Sequence, residues 1–147
     1  MNLLRAMVAA MPMVLVAGCS LERPTSHYET YSDAVAEGAI VRGWLPEWTP
    51  RSASDIIEAH DLDSNKVMIR ATIQTSEPVD LPSWCERIKD LEVKEPPFNT
   101  EWWPEEATPN YLMLPPENRK NDPWMFWNCR GLQVGISSEQ ILIWSSR

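Results

Sequence analysis

Ser54–Thr75 (SDIIEAHDLDSNKVMIRATIQT) is the stretch on which the fold turns. In its second half, Lys66–Thr75, the residues Val67, Ile69, Ala71 and Ile73 alternate with Met68, Arg70, Thr72 and Gln74. Period-two alternation sends each set to its own side of an extended chain, so this half is a strand. The first half admits two readings. Ala53, Ile56, Ile57 and His60 fall on one helical face, and Ser52–Asp55 can cap a helix. The segment is short, however, and it runs through Asp61-Leu62-Asp63-Ser64-Asn65 straight into the strand. Asp, Ser and Asn side chains bond a turning backbone, which favours strand–turn–strand over helix–turn–strand.

Outward from this pair, three more strands are predicted. Trp124–Arg130 (WMFWNCR), Leu132–Ser137 (LQVGIS) and Gln140–Ser145 (QILIWS) are separated by Gly131 and by Ser137-Ser138-Glu139. Tyr31–Gly38 reads as a short helix that Thr30 or Ser32 can cap and Gly38 can end. Leu81–Leu91 (LPSWCERIKDL) is the strongest helix pattern. Pro82 stands in its first turn, and Leu81, Trp84, Cys85, Ile88 and Leu91 recur at spacings that form an amphipathic face. Pro46 and Pro50 bracket a turn at Glu47-Trp48-Thr49. Glu92–Pro123 holds seven of the 13 prolines and no sustained period. It is longer than ordinary connections, so it is either functional or poorly ordered. The expectation is an α+β domain: a small antiparallel sheet, one packed amphipathic helix at 81–91 and a long Pro/Trp-rich loop.

The first 18 residues are different material. Met1–Arg5 is a short basic start and Ala6–Val16 is an apolar run too short to span a bilayer as a helix. Leu15-Val16-Ala17-Gly18-Cys19 follows, and it resembles the lipobox of bacterial lipoproteins. The resemblance implies cleavage before Cys19 and acylation of its thiol. Two or more buried chains anchor firmly where one is marginal. Ser20 after the lipidated cysteine implies sorting to the outer membrane, on its periplasmic face, where the host has two membranes. Residues 1–18 are thus expected as a lipoprotein signal peptide, 19–30 as lipidated cysteine and tether, and 31–147 as a single domain. The alternative is an ordinary signal peptide with a chance cysteine.

Two cysteines remain, Cys85 and Cys129. In an exported protein such a pair is most simply a disulfide. Closing a loop of about 45 residues stabilises by up to ~4 kcal/mol in the chain-entropy model. Two free buried thiols are the alternative. A bridge would pin the 81–91 helix to the sheet.

The formal charge of −8, from 21 acidic and 13 basic residues, argues against a general nucleic-acid binder, which needs a basic surface. The calcium-loop echo at Asp61, Asp63 and Asn65 fails, because Lys66 stands where glycine is needed and Thr72 where glutamate is needed. No G-x-S-x-G, H-E-x-x-H or P-loop occurs, and only His27 and His60 supply imidazoles. Glu101, Glu105 and Glu106 read as an acidic solvated loop. No catalytic residue, cofactor or metal ligand is assigned.

Eight tryptophans are the other conspicuous feature. Trp84 and Trp144 sit in amphipathic patterns and read as core. Trp102-Trp103 lie in the Pro/Glu-rich loop. With Trp44 and Trp48 they are the candidate binding residues, since exposed aromatic rings stack on sugars or anchor protein partners. The plainer reading folds Trp102 and Trp103 back as a cover over a small core.

Gly43-Trp44-Leu45-Pro46, then Pro50, Ala53, Ile56 and His60-Asp61-Leu62-Asp63-Ser64-Asn65 form a string that resembles small uncharacterised bacterial proteins, many of them lipoproteins, and the YbbD head domain. Asp33-Ala34 and Gly38 fit the same pattern. The resemblance covers about residues 31–75. It implies a small exported α+β module and transfers no catalytic residue. The resulting expectation is a non-catalytic, lipid-anchored envelope protein whose domain binds an envelope protein or a glycan, with the membrane reached through the lipid. An inhibitor or immunity-type lipoprotein, its acidic surface facing a basic enzyme or toxin, is the second reading. A hydrolase acting near His60 and Asp61 is the third.

Overall fold

Ser54–Asp61 and Lys66–Thr72 form an antiparallel hairpin, with Asp61 opposite Lys66 and Ala59 opposite Met68. In the computed structural model, which describes residues 24–74, 76, 78–120 and 124–146, this hairpin lies within a seven-stranded, wholly antiparallel sheet. The strands are β1 (Thr25–Thr30), β2 (Ser54–Asp61), β3 (Lys66–Thr72), β4 (Glu86–Ile88), β5 (Met125–Cys129), β6 (Leu132–Ile136) and β7 (Gln140–Ser145). Their order across the sheet is β1-β2-β3-β7-β6-β5-β4. Each half is therefore a meander built from neighbours in sequence, and the β3–β7 pairing joins them, with Ile69 opposite Ile143.

The two central strands show why alternation fades in the middle of the sheet. In β7, Ile141, Leu142, Ile143 and Trp144 are all buried, and in β3 so are Met68, Ile69 and Ala71. Both faces of the sheet are covered, so residues of both parities need to be apolar. One cover is α1 (Tyr31–Ala36) with the turns that follow it. Ala34, Ala39 and Leu45 pack there on Ile56, Ile69, Val134, Ile141 and Ile143. The other cover is the stretch from Val93 to Leu112. It places Val93, Phe98, Ala107 and Leu112, with half-buried Trp102 and Trp103, on Met68, Phe126, Leu142 and Trp144.

The short helix expected at 31–38 is present. Thr30 accepts from the Asp33 amide at 3.2 Å and Asp33 answers by accepting from the Thr30 amide at 3.0 Å, a reciprocal cap. Gly38, at φ +78°, ends it in the left-handed conformation glycine adopts freely. The strand reading of 54–61 also holds. β2 contains a bulge between Ser54 and Ile57, at which Asp55 takes φ +46°.

Three expectations are corrected. The α+β architecture with a packed amphipathic helix is wrong: the body is a β-sheet, and its α-helices, α1 and α2 (Pro109–Leu112), have six and four residues. Leu81–Leu91 is not a helix. Pro82–Cys85 makes a turn, Glu86–Ile88 pairs with Asn128–Phe126, and Asp90–Glu92 forms a 3₁₀ turn. The supposed apolar face is split by the sheet: Trp84 and Cys85 join the α1 side, Ile88 joins the opposite side, and Leu91 is 81% exposed. An eleven-residue helix is marginal by itself, whereas the open edge of β5 offers backbone partners at once. The third correction is to the tether, since Thr25–Thr30 is the edge strand β1, paired with β2 from Thr25↔Ala59 to Thr30↔Ser54. Residues 1–23, including the signal segment and Cys19, lie outside the described residues.

The disulfide between Cys85 and Cys129 is formed. It ties the turn before β4 to the end of β5, and so fastens an edge strand rather than a helix. Glycine matters most at Gly135 in β6. A Cβ there would stand 3.0 Å from the ring of Phe126.

Candidate functional site

On the α1 side of β2, alternation places Ile56, Glu58 and His60 in one row. Glu58 is fully buried and His60 is 5% exposed. The two side chains bond each other, Glu58 Oε1 to His60 Nδ1 at 2.7 Å. Burial pushes the Glu58 carboxyl above its usual range. His60, the Arg42 charge and the Ser26 side chain offset part of that shift. His60 Nε2 is buried with no hydrogen-bond partner among the described residues.

Trp44 lies over this pair, its ring 4.1 Å from the imidazole and nearly parallel to it. The Arg42 guanidinium covers the other side of Trp44 at 3.9 Å. The arrangement is a column of Arg42, Trp44 and His60, with Glu58 at the foot. The tight turns after α1 set its height, the Trp44 amide donating to the Ala39 carbonyl at 2.9 Å. Beside the column is a cavity of about 210 Å³ lined by Gly43, Trp44, Pro46, His60, Asp61, Leu62, Asn65, Lys66, Val67, Leu132 and Ser145. It lies at the end of the sheet where the chain enters, because the His60 amide donates to the Pro24 carbonyl.

The polar run at 61–65 does turn chemistry. Asp61 Oδ1 accepts from the amides of Asp63 and Ser64 at 2.9 and 3.1 Å, and Asn65 takes φ +53°. Among the described residues, the cavity beside His60 does not assemble a serine hydrolase centre. Ser145 is the serine that shares the cavity with His60, and its Oγ accepts from the Val67 amide at 3.2 Å. Ser145 and His60 lie on strands either side of β3, two strand spacings or roughly 10 Å apart.

The candidate tryptophans do not form one surface. Trp44 and Trp48 pack on the α1 side, whereas Trp102 and Trp103 pack on the other. Trp103 meets Trp144 edge to face at 5.3 Å, and Arg70 donates to the Trp102 carbonyl at 2.8 Å. Both rings serve as a cover over the core. On the α1 side the rings are themselves covered by arginines: Arg42 on Trp44, Arg130 on Trp84, Arg87 on Trp127 and Arg51 on Tyr31. Of the loop glutamates, Glu106 pairs with Lys120, which holds its carboxyl below the usual range, while Glu101 and Glu105 face solvent.

Sequence reasoning missed Glu58. A signal was available, since a strand reading of 54–61 puts Glu58 between Ile56 and His60 on the buried face. The Trp44–His60 stack had no signal, because it depends on how the turns after α1 fold back.

No curated protein and no solved structure matches the chain. A family model does match a segment of it: residues 22–71, about a third of the chain, fit the model described as the YbbD head domain, and this stretch takes in β1, α1, the Trp44 turn and the β2–β3 hairpin with the Glu58–His60 pair.

Proposed function

We propose that this chain is a lipid-anchored protein of the bacterial cell envelope whose sheet domain is a non-catalytic binding module held close to the membrane. The observation that carries the reading is the position of β1. The lipobox-like run ends at Cys19, and β1 begins at Thr25 as a paired edge strand. Five residues intervene, and five extended residues reach at most ~18 Å. Acylation of Cys19 would therefore hold one end of the sheet against the lipid headgroups. By its Ser20, the anchored form belongs on the periplasmic face of the outer membrane in a host with two membranes.

The partner is an envelope protein. Its acidic character fits this reading, since a mature chain of charge −9 is repelled by an anionic bilayer and attracts basic surfaces. The inhibitor or immunity-type version is the same reading with a basic enzyme or toxin as partner. A glycan version draws less support, because Trp44 has both ring faces taken and Trp102 and Trp103 are half-buried.

Two measurements test this. Cys19→Ser should move the protein from the membrane fraction to the soluble fraction, and continued partitioning with membranes would refute the anchor. Affinity purification of the acylated protein from its own envelope should recover a basic partner that salt releases. Recovery only of glycan, undisturbed by salt, would reverse the choice of partner.

A further inference from the structure

The two edges of the sheet are unequal. Short strands, lysines, prolines and bulges are the usual guards that keep an edge from pairing with another chain. β4 is guarded: it has three residues, Arg87 stands in it and Lys89 directly after it, and the Cys85–Cys129 bridge holds the chain just before it. β1 carries none of these guards. Its six residues (TSHYET) include no lysine or proline, and it keeps one register with β2 from Thr25↔Ala59 to Thr30↔Ser54. Thr25, His27, Glu29 and Thr30 are exposed.

Hydrogen-bond parity shows which groups are open. In an antiparallel pair, directly opposite residues alternate between exchanging backbone bonds and exchanging none. The Pro24 carbonyl accepts from the His60 amide at 3.4 Å, so 24↔60 is a bonded pair, and Ser26↔Glu58 and Tyr28↔Ile56 follow it in phase. Thr25 and His27 alternate with these. Their N–H and C=O groups therefore turn away from β2, towards the open side of the sheet. Among the described residues, no further strand pairs on that side.

The edge ends on an apolar pocket. The Tyr31 amide donates to the Ala53 carbonyl at 3.0 Å, and Tyr31 and Ser32 line a cavity of about 460 Å³ together with Val35, Ile40, Val41 and Arg51. Val41 is 92% exposed and Val35 46%. Single exposed valines need no explanation, but apolar side chains gathered at one concavity offer a seat for another. Exposed carboxylates flank the edge: Glu29 on β1, Asp33 on α1 and Glu37 at its end. Asp55 is shared between His27 and Arg70, and Arg51 lies over the Tyr31 ring. A second copy would bring the same carboxylates against one another, whereas a basic strand would be attracted to them. We propose that β1 is a strand-addition site for an extended basic segment of a protein partner, with main-chain bonds to Thr25 and His27 and an apolar side chain in the pocket beside Val41. This rests on the reading of the domain as a binding module with a basic partner, and adds where and how that partner is held.

The test follows amide hydrogen exchange in the ¹⁵N-labelled full-length protein in detergent micelles, titrated with an acetylated Lys-Val-Lys-Val-Lys-Val-Lys amide. At about nine-tenths occupancy the Thr25 and His27 amides should exchange about tenfold more slowly, since only the free fraction exchanges. The Tyr28 amide, already bonded to β2, should not change. The same peptide methylated at every backbone nitrogen, and the peptide with Glu in place of Lys, should have no effect. His27→Pro removes an N–H that β2 does not use, and should weaken binding about tenfold or more. His27→Ala loses the bond to Asp55 but keeps that N–H, and should bind unchanged. Val41→Ser should weaken binding about tenfold, the scale of one buried valine side chain. Four results would each overturn the site: no slowing at Thr25 and His27, equal slowing by the methylated or acidic peptide, full binding by His27→Pro, or full binding by Val41→Ser. Self-association of the free protein that His27→Pro abolishes would overturn it in favour of a second copy. Recovery of a salt-released basic partner from the envelope alongside any of these would remove the edge site alone and leave the binding module standing.

Discussion

The two faces of the sheet are covered by similar amounts of chain and handle polarity in opposite ways. On the α1 side, a titratable pair is buried under the Trp44 ring, and arginines lie over that ring and over Trp84 and Trp127. On the other side, three polar side chains are met by loop backbone. Trp144 Nε1 donates to the Lys94 carbonyl, Gln133 bonds both the Lys94 amide and the Glu92 carbonyl, and Arg70 reaches the Trp102 carbonyl. A proline-rich loop leaves many carbonyls free of internal bonds, so it can lie over a sheet and satisfy it. The comparison separates a face that buries a carboxyl–imidazole pair from a face whose buried side chains lean on loop backbone, and each face keeps unpartnered buried atoms among the described residues: Glu58 Oε2 and His60 Nε2 on the first, Trp103 Nε1 and Thr100 Oγ1 on the second.

The largest test of this contrast is Trp144→Ala. Trp144 is fully buried and touches Trp103 and Phe126 edge to face, so the loop side should lose about 3–5 kcal/mol in denaturant unfolding. The α1 side should keep its Trp44–His60 stack, and loss of both together would mean that the faces are not separable. Next is the Cys85→Ser/Cys129→Ser double variant. It should cost about 2–4 kcal/mol and free the β4 edge first, as hydrogen exchange at Glu86–Ile88 would report.

The two faces should also respond to pH with opposite signs. Glu58 has a folded pKa raised above 4.5, so its contribution to stability is complete below that value and is lost as pH rises through the raised value. Glu58→Gln should flatten this alkaline-side slope, which is at most about 1.4 kcal/mol per pH unit for one proton. Glu106 has a lowered folded pKa from its pairing with Lys120. Its contribution is present above 4.5 and is lost as pH falls through the lowered value. Glu106→Gln should therefore remove a smaller, acid-side slope, screened by salt. Slopes of the same sign in the two variants would contradict the contrast. The smallest effect expected is that of Arg42→Ala, about 0.5–1 kcal/mol for an exposed cation–π contact, with increased solvent quenching of Trp44.

Much of the sheet was legible locally. The strands at 66–72, 125–129, 132–136 and 140–145, the capped helix at 31–36 and the Asp61 turn follow from alternation and side-chain-to-backbone bonding within a few residues. The 81–91 segment was not legible, because its apolar spacing satisfies a helix and also a turn plus a short strand straddling a sheet edge. β1 was hidden for a related reason. An edge strand with only Tyr28 buried has no pattern to read, since its order comes from hydrogen bonds to β2. Of the site, His60 was visible as the one imidazole in the expected domain, and its Glu58 partner only through the register of β2.

The sequence by itself determined most of the local elements, the pairing of two otherwise unused cysteines and the family-like segment over about 31–75. Each rests on interactions between near neighbours or on simple counting. Tertiary structure decided that Trp102 and Trp103 lie on the opposite side of the sheet from Trp44, and that arginines cap the rings on one side. It also decided that Trp44 stacks on His60, 16 residues further along the chain, over a buried Glu58–His60 bond. Those outcomes depend on which loop covers which face, and burial energy is non-directional: many covers would hide the same apolar area, and only the assembled chain selects one.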